Sequence, residues 1–284
     1  MTWNIVSDSS CDLRTASFHS SRVRFETVPL RIQVGSREFV DDDALSVPAL
    51  LSAMAAEKAA SSSACPSPAD FARAFEQGDR TVCFTISSQL SGTYHAACIA
   101  REMMDPEDAT HIHLVDSLSA TVGERFLLLH AAALRDRGAS AAEIAAELTE
   151  LRRRITIWAS VDTLEYLCKG GRLSRTAAGV GSLAKVKPII TLTREGRVAV
   201  QKKCIGKSRC MSEITALTEK RRPDPSHPVF GLYSFDAHNC SALAGRLAAC
   251  GFSIAPDHYL EIGPTIGAHI GPHAYGVAYI AADE

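Results

Sequence analysis

Short apolar runs in the first half of the chain, Trp3 to Ser7, Val28 to Val34, Thr81 to Ile86 and His111 to Val115, are separated by stretches whose apolar residues recur every three or four positions. A short apolar run suits a strand buried on both faces, and the longer spacing suits a helix with one buried face. Their alternation restricts the fold to βα units that stack helices on a largely parallel sheet. Helices are expected at Val47 to Lys58, Pro68 to Gln77, Gly92 to Met104, Thr121 to Arg137 and Ser140 to Ile155. The small, Pro-punctuated segment Ala59 to Pro68 reads as a loop.

The pattern changes near Trp158. Strand candidates Lys187 to Thr193 and Arg197 to Lys203 flank Arg194-Glu195-Gly196, a sequence suited to a hairpin turn. Helices at Ser208 to Lys220 and Ala237 to Cys250 follow, with strands at Val229 to Ser234, Ser253 to Ile262 and Tyr275 to Ala281. A chain of 284 residues is long for one compact core. We therefore expect an N-terminal α/β domain over residues 1–157 and a smaller C-terminal α+β domain over residues 158–284.

The chain has 30 basic and 32 acidic side chains, a net charge of -2 and no dense Lys/Arg run, which argues against nucleic acid as a partner. Its nine cysteines contain no Cys-x-x-Cys pair and fit reduced thiols. Met1 to Asp8 runs straight into a strand pattern without a basic leader, so a cytoplasmic location is expected. Two long uncharged stretches, Val82 to Ala100 and Ile262 to Ala282, carry too many hydroxyls or too many Gly and Pro residues for lipid-facing helices. Both read as buried strand-and-turn segments, and no stable membrane insertion is expected.

Three segments carry chemistry. The strand ending at Ile86 runs through Ser87-Ser88-Gln89-Leu90 to Ser91-Gly92-Thr93, where a helix begins. Free N–H groups, hydroxyls and the positive end of a helix dipole there favour an anion such as a carboxylate or phosphate. Ser91 or Thr93 serving simply as an N-cap accounts for the same residues. The run Ile262 to Ala274 sets His269 and His273 among glycines and prolines, either as hydrogen-bond donor or general base, or as structural histidines. In Leu164 to Ser174, Lys169 and Arg172 bracket Gly170-Gly171; Arg172 is a candidate for docking a partner or phosphate, and a helix C-cap at Gly170 is the alternative.

Other patterns fail. Gly206-Lys207-Ser208 lacks the first glycine of a P-loop, having Gln201 there, and Gly179-Val180-Gly181 lacks the third glycine of a dinucleotide fingerprint. His111-Ile112-His113 has no third ligand at metal-site spacing, and Asp41-Asp42-Asp43 reads as a solvated turn. No cofactor, metal or catalytic residue is expected from them.

Taken in order, Ile5 to Leu13, Val28-Pro29-Leu30, Pro66-Ser67-Pro68, Ile86 to Tyr94, Leu164 to Arg172, and Ile262-Gly263 through Gly271-Pro272 resemble the DegV family nearly end to end. The resemblance is to the members related to the bacterial fatty acid kinase B subunit. It implies a two-domain carrier, not an enzyme, that holds one long-chain fatty acid between its domains, acyl chain in an apolar tunnel. It also implies that the acid is presented to a separate ATP-dependent kinase, which makes acyl-phosphate for phospholipid synthesis. Carried onto this chain, the carboxylate ligands are Ser63, Ser91 with Gly92, and His269, with Arg172 a docking candidate. The chain departs from the family pattern at Ser63-Ala64-Cys65, at His273, where glycine is usual, and at Ile205, where the family commonly has an arginine. Two other readings use the same residues. One is a serine hydrolase or acyltransferase with Ser91 as nucleophile and His269 as base, although no Gly-x-Ser-x-Gly elbow surrounds Ser91. The other is a phosphate-ligand protein built on the same helix start.

Overall fold

The computed structural model describes residues 2–14, 23–57, 61–178 and 186–283. The elements in chain order begin with β1 (Trp3–Asp8), β2 (Val23–Val28), β3 (Arg31–Val34), β4 (Arg37–Val40), α1 (Val47–Glu57), β5 (Ser61–Ala64), α2 (Pro68–Phe75) and β6 (Arg80–Thr85). They continue with α3 (Thr93–Glu102), α4 (Pro106–Ala109), β7 (Ile112–Asp116), α5 (Val122–Asp136), α6 (Ala141–Leu151), β8 (Ile155–Ser160), α7 (Glu165–Lys169) and α8 (Arg175–Ala178). The last are β9 (Val186–Leu192), β10 (Val198–Ile205), α9 (Lys207–Lys220), β11 (Phe230–Tyr233), α10 (His238–Ala249), β12 (Tyr259–Glu261), α11 (Pro264–Ile270) and β13 (Tyr275–Ile280).

Three sheets result. The parallel sheet β2-β1-β6-β7 is the βα layer expected from the first half, and β10-β9-β8-β13-β11-β12 is a mixed sheet built from the second. A small antiparallel sheet, β4-β3-β5, lies apart from both. The largest apolar cluster joins Ile5 and Phe84 of the parallel sheet to Ile157 and Ala278 of the mixed sheet through Phe126 and Leu127 of α5. A second cluster, with Ile189, Ile214, Leu243 and Tyr279, packs α9 and α10 on the mixed sheet's other face.

Several expectations are corrected. Val28 to Val34 is two strands, because Pro29 ends β2 and the chain turns into a different sheet at β3. Within the segment read as a loop, Ala59 and Ala60 lie outside the described residues, while Ser61–Ala64 forms β5, an edge strand whose serines pair with Arg31–Val34. The helix expected to reach Ile155 stops at Leu151, and Ile155 instead opens β8. Position 157 thus falls inside a strand of the mixed sheet. The stretch Ser253 to Ile262 contains a single helical turn, Pro256–His258, followed by the short β12. Two long uncharged stretches read as strand and turn contain helices, α3 in the first and α11 in the second. In α11, Pro264 stands just inside the start and Gly271, φ 75, just past the end, the usual asymmetry of helix termini. Asp41 is buried rather than solvated, accepting from Ser9, Thr265 and Arg14, while Asp42 and Asp43 remain exposed.

Candidate functional site

An apolar cavity, about 810 Å³ of atom-free space counted to its open mouth, lies against the mixed sheet. Alternate residues of a strand face one side, so Ile157 and Ala159 of β8 and Ile190 and Leu192 of β9 form a continuous wall. Helical spacing supplies the facing wall: Ile262, Thr265, Ile266, His269 and Ile270 share one stripe on and just before α11. Leu30, Ile86 and Leu90 close the cavity from the first half of the chain.

Four sequence-expected residues, Ser63, Ser91, Arg172 and His269, meet in the wall of this cavity. Ser63 projects from β5, and its Oγ lies 2.8 Å from His269 Nε2. Beside it, Ser61 Oγ donates to the Ala268 carbonyl at 2.8 Å, so β5 ties down the helix that carries the histidine. Burial, with a smaller contribution from the Arg172 charge, pushes the His269 imidazole down to about 4. The ring is therefore neutral near pH 7. Its Nδ1 is buried without a hydrogen-bond partner among the described residues and faces Gly170, where any Cβ would collide with it.

Ser91 is not an N-cap. Gly92 holds that place without a side-chain bond, and the Ser91 and Thr93 hydroxyls bond to each other at 2.8 Å. The amide donors at the start of α3 are thus not consumed by a side-chain cap. Gly92 stands beside the wall, close enough to Cys65 that a Cβ would lie 3.4 Å from its Sγ. Gly170 does end α7, with Gly171 at φ 76 continuing the turn. That turn aims Arg172 inward: Nε donates to Leu90 O at 2.9 Å and Nη1 to Gly170 O at 2.6 Å. Carbonyl oxygens satisfy the guanidinium's hydrogens without cancelling its charge.

Sequence reasoning missed a buried acidic layer behind the cavity. Thr121 and Thr265 line the cavity and donate to Asp12 and Asp41, each at 2.5 Å. Asp8 accepts from Ile86 N at 2.7 Å and Ser10 N at 2.9 Å, which pins the exit of β6. Asp116, followed by Ser117 at the end of β7 as Asp8 is by Ser9 at the end of β1, accepts from Ser88 N and Leu118 N, both at 3.1 Å, so an Asp-Ser pair organises the loops at the carboxyl end of each strand. Ser10 Oγ lies 2.6 Å from Asp8 and 2.7 Å from Glu124. One hydroxyl hydrogen cannot serve both, which fits one carboxyl retaining its proton. Burial accordingly raises Asp8 to about 6 and Asp12 to about 7, and Glu124 well above its ordinary value. The signal for this layer was the Ser7 to Asp12 run itself, in which three serines and two acids crowd a strand end.

His273 lies outside the cavity wall, with φ 63 and its ring 6.0 Å from that of Phe235. Ile205 ends β10 and is 76% exposed; nearby, Lys202 and Arg209 both pair with Glu213. His111 lies outside β7 and His113 within it; among the described residues no group of three or more His, Cys, Asp or Glu is placed to hold a metal.

A parallel-sheet unit joined to a mixed sheet, with an apolar cavity whose wall includes hydroxyls and an imidazole, defines a class of small-molecule-binding α/β proteins. The profile described as "Uncharacterised protein, DegV family" matches residues 2–282, and the chain belongs to the DegV family. A DegV domain-containing protein of Streptococcus pyogenes serotype M3 is 30% identical over 271 residues, 94% of each chain. Among solved structures, the Streptococcus pneumoniae Fatty Acid Kinase (Fak) B3 protein loaded with linoleic acid is similar, with TM-score 0.89 and 26% identity over 99% of this chain and 100% of that one. A fatty-acid-binding DegV family protein from Thermus thermophilus has TM-score 0.82 and 31% identity, again over 99% and 100%. Among the described residues, no helix is long and apolar enough to cross a membrane.

Proposed function

We propose that this chain binds one long-chain fatty acid, its tail in the apolar cavity and its carboxylate at Ser63, Ser91 and His269, with the amide of Gly92 adjacent. The observation that carries this reading is the pairing of an almost wholly apolar cavity with one cluster of hydroxyls and imidazole, Ser63 and His269 being in contact at 2.8 Å. A buried carboxylate without donors costs several kcal/mol, whereas charge-assisted hydrogen bonds offset that loss. Roughly 0.8 kcal/mol per buried methylene comes from the tail, so the cavity supplies most of the affinity and the donors set orientation.

The same reading makes the chain a carrier that presents its acid to an ATP-dependent acyl kinase in a reducing, cytoplasmic setting. Support comes from the likeness to the Fak B3 protein and from nine unpaired cysteines. Arg172, half-buried in the cavity wall, is better placed to balance the carboxylate charge than to meet a partner; docking through it requires the side chain to turn outward. We also take the chain as two halves between which the ligand sits, with the division at the α6–β8 connection and not at 157/158, which would cut β8. A hydrolytic reading is disfavoured by geometry: Ser91 pairs with Thr93, His269 with Ser63, and His269 Nδ1 has no carboxylate to orient it.

The test is displacement of a fluorescent fatty acid by palmitate or oleate. Ser91→Ala removes one donor without a large cavity, and hydrogen bonds to charged groups are worth about 1.5–3 kcal/mol, so affinity should fall about tenfold or more with the fold intact. Unchanged affinity in this variant would remove Ser91 from the site.

A further inference from the structure

Away from the apolar cavity, an open concavity of about 1140 Å³, counted to its solvent mouth, is lined by five arginines from three separate segments. Arg152, Arg153 and Arg154 follow α6, Arg194 sits at the β9–β10 turn, and Arg221 follows α9; Glu195 and Asp283 are the acids in the wall. We propose that this concavity is a second binding site, for a small molecule carrying two or more phosphate groups.

The charges there are only partly neutralised. Arg154 is held by Asp224 and Asp283, and Arg153 faces Glu150 at 3.3 Å in open solvent. Arg152, in contrast, donates to the carbonyls of Thr149 and Asp116, and Arg221 to the carbonyl of Arg153 at 3.2 Å. These bonds orient the guanidinium groups and leave their charge uncancelled. The carbonyl ends of α6 and α9 contribute partial negative charge, about half a unit each, so the attraction rests on the convergence of guanidinium forks and not on a large net charge. Orientation matters because the planar guanidinium fork matches phosphate oxygens two at a time. The chemistry suits a polyanion better than a protein face: among the described residues Leu118 is the large apolar residue in the wall and no aromatic residue lines it, whereas protein interfaces centre on buried aromatic and apolar anchors.

Pyrophosphate, titrated calorimetrically into the full chain at constant ionic strength, tests the site, with ATP as a second probe. Saturable binding is expected, at least tenfold weaker in both Arg221→Glu and Arg194→Glu, while the bound fatty acid content of each variant stays that of the parent. Absence of saturable binding in the parent, or equal affinity in both variants, would overturn the proposal. A parent response matched by sodium chloride of the same ionic strength would also overturn it, since general screening would then account for the effect.

Discussion

At the scale of single residues, burial keeps His269 uncharged in the proposed site. The folded protein holds this ring neutral down to about pH 4, while an unfolded chain protonates it near 6.5. Between those values the unfolded state binds more protons, so the contribution is complete above pH 6.5 and is lost as pH falls toward 4. Asp8 and Asp12 act in the opposite direction, because their carboxyls keep protons up to about 6 and about 7 in the fold and their contribution is lost as pH rises through those values. His269→Gln isolates the first effect. Relative to the parent, its unfolding free energy in urea should improve by roughly 2 kcal/mol between pH 7 and pH 5. A difference independent of pH would show that the imidazole is not held neutral. The identities of Ser63, Ser91, Arg172 and His269 were legible in the sequence through the order of family motifs, but their partners were not. Ser63 meets His269 across more than 200 positions, and no local pattern records that pairing.

At the scale of elements, the short helices α7 and α11 set the position of the imidazole. Gly170 has an ordinary φ of -73, so its requirement is one of space: a Cβ would enter the His269 ring. Gly170→Ala should therefore displace the ring and weaken fatty acid binding more than tenfold, with a modest loss of thermal stability. Equal binding measured by displacement titration would show that the ring has room to move. The βα pattern of the first half was readable because a buried strand and an amphipathic helix have distinct periods. Polar edge strands carry no such signature, and Ser61–Ala64 was accordingly missed. α11 was missed for a different reason: its Gly and Pro residues mark its ends, yet they read as turn residues when counted together.

For the whole molecule, the cavity and the shared core are one construction. α5 packs between the parallel and mixed sheets, and the apolar strand residues left uncovered beside it form the wall of the cavity. A larger side chain at Ala159 fills that space from the middle of β8. Ala159→Phe should leave the fold cooperative, because apolar volume is added to a cavity, and should exclude long acyl chains while shorter ones still bind. Identical affinity for palmitate in parent and variant would place the tail elsewhere. The existence of two sheets was legible from the change of pattern near Trp158, but the start of β8 was obscured by the apolar continuity from α6 into Ile155. Native mass spectrometry of the gently purified chain, followed by organic extraction, measures the central claim most directly. The account predicts a mass excess of one long-chain fatty acid per chain, recovered in the extract. A bare chain that also takes up no added palmitate or oleate would contradict it.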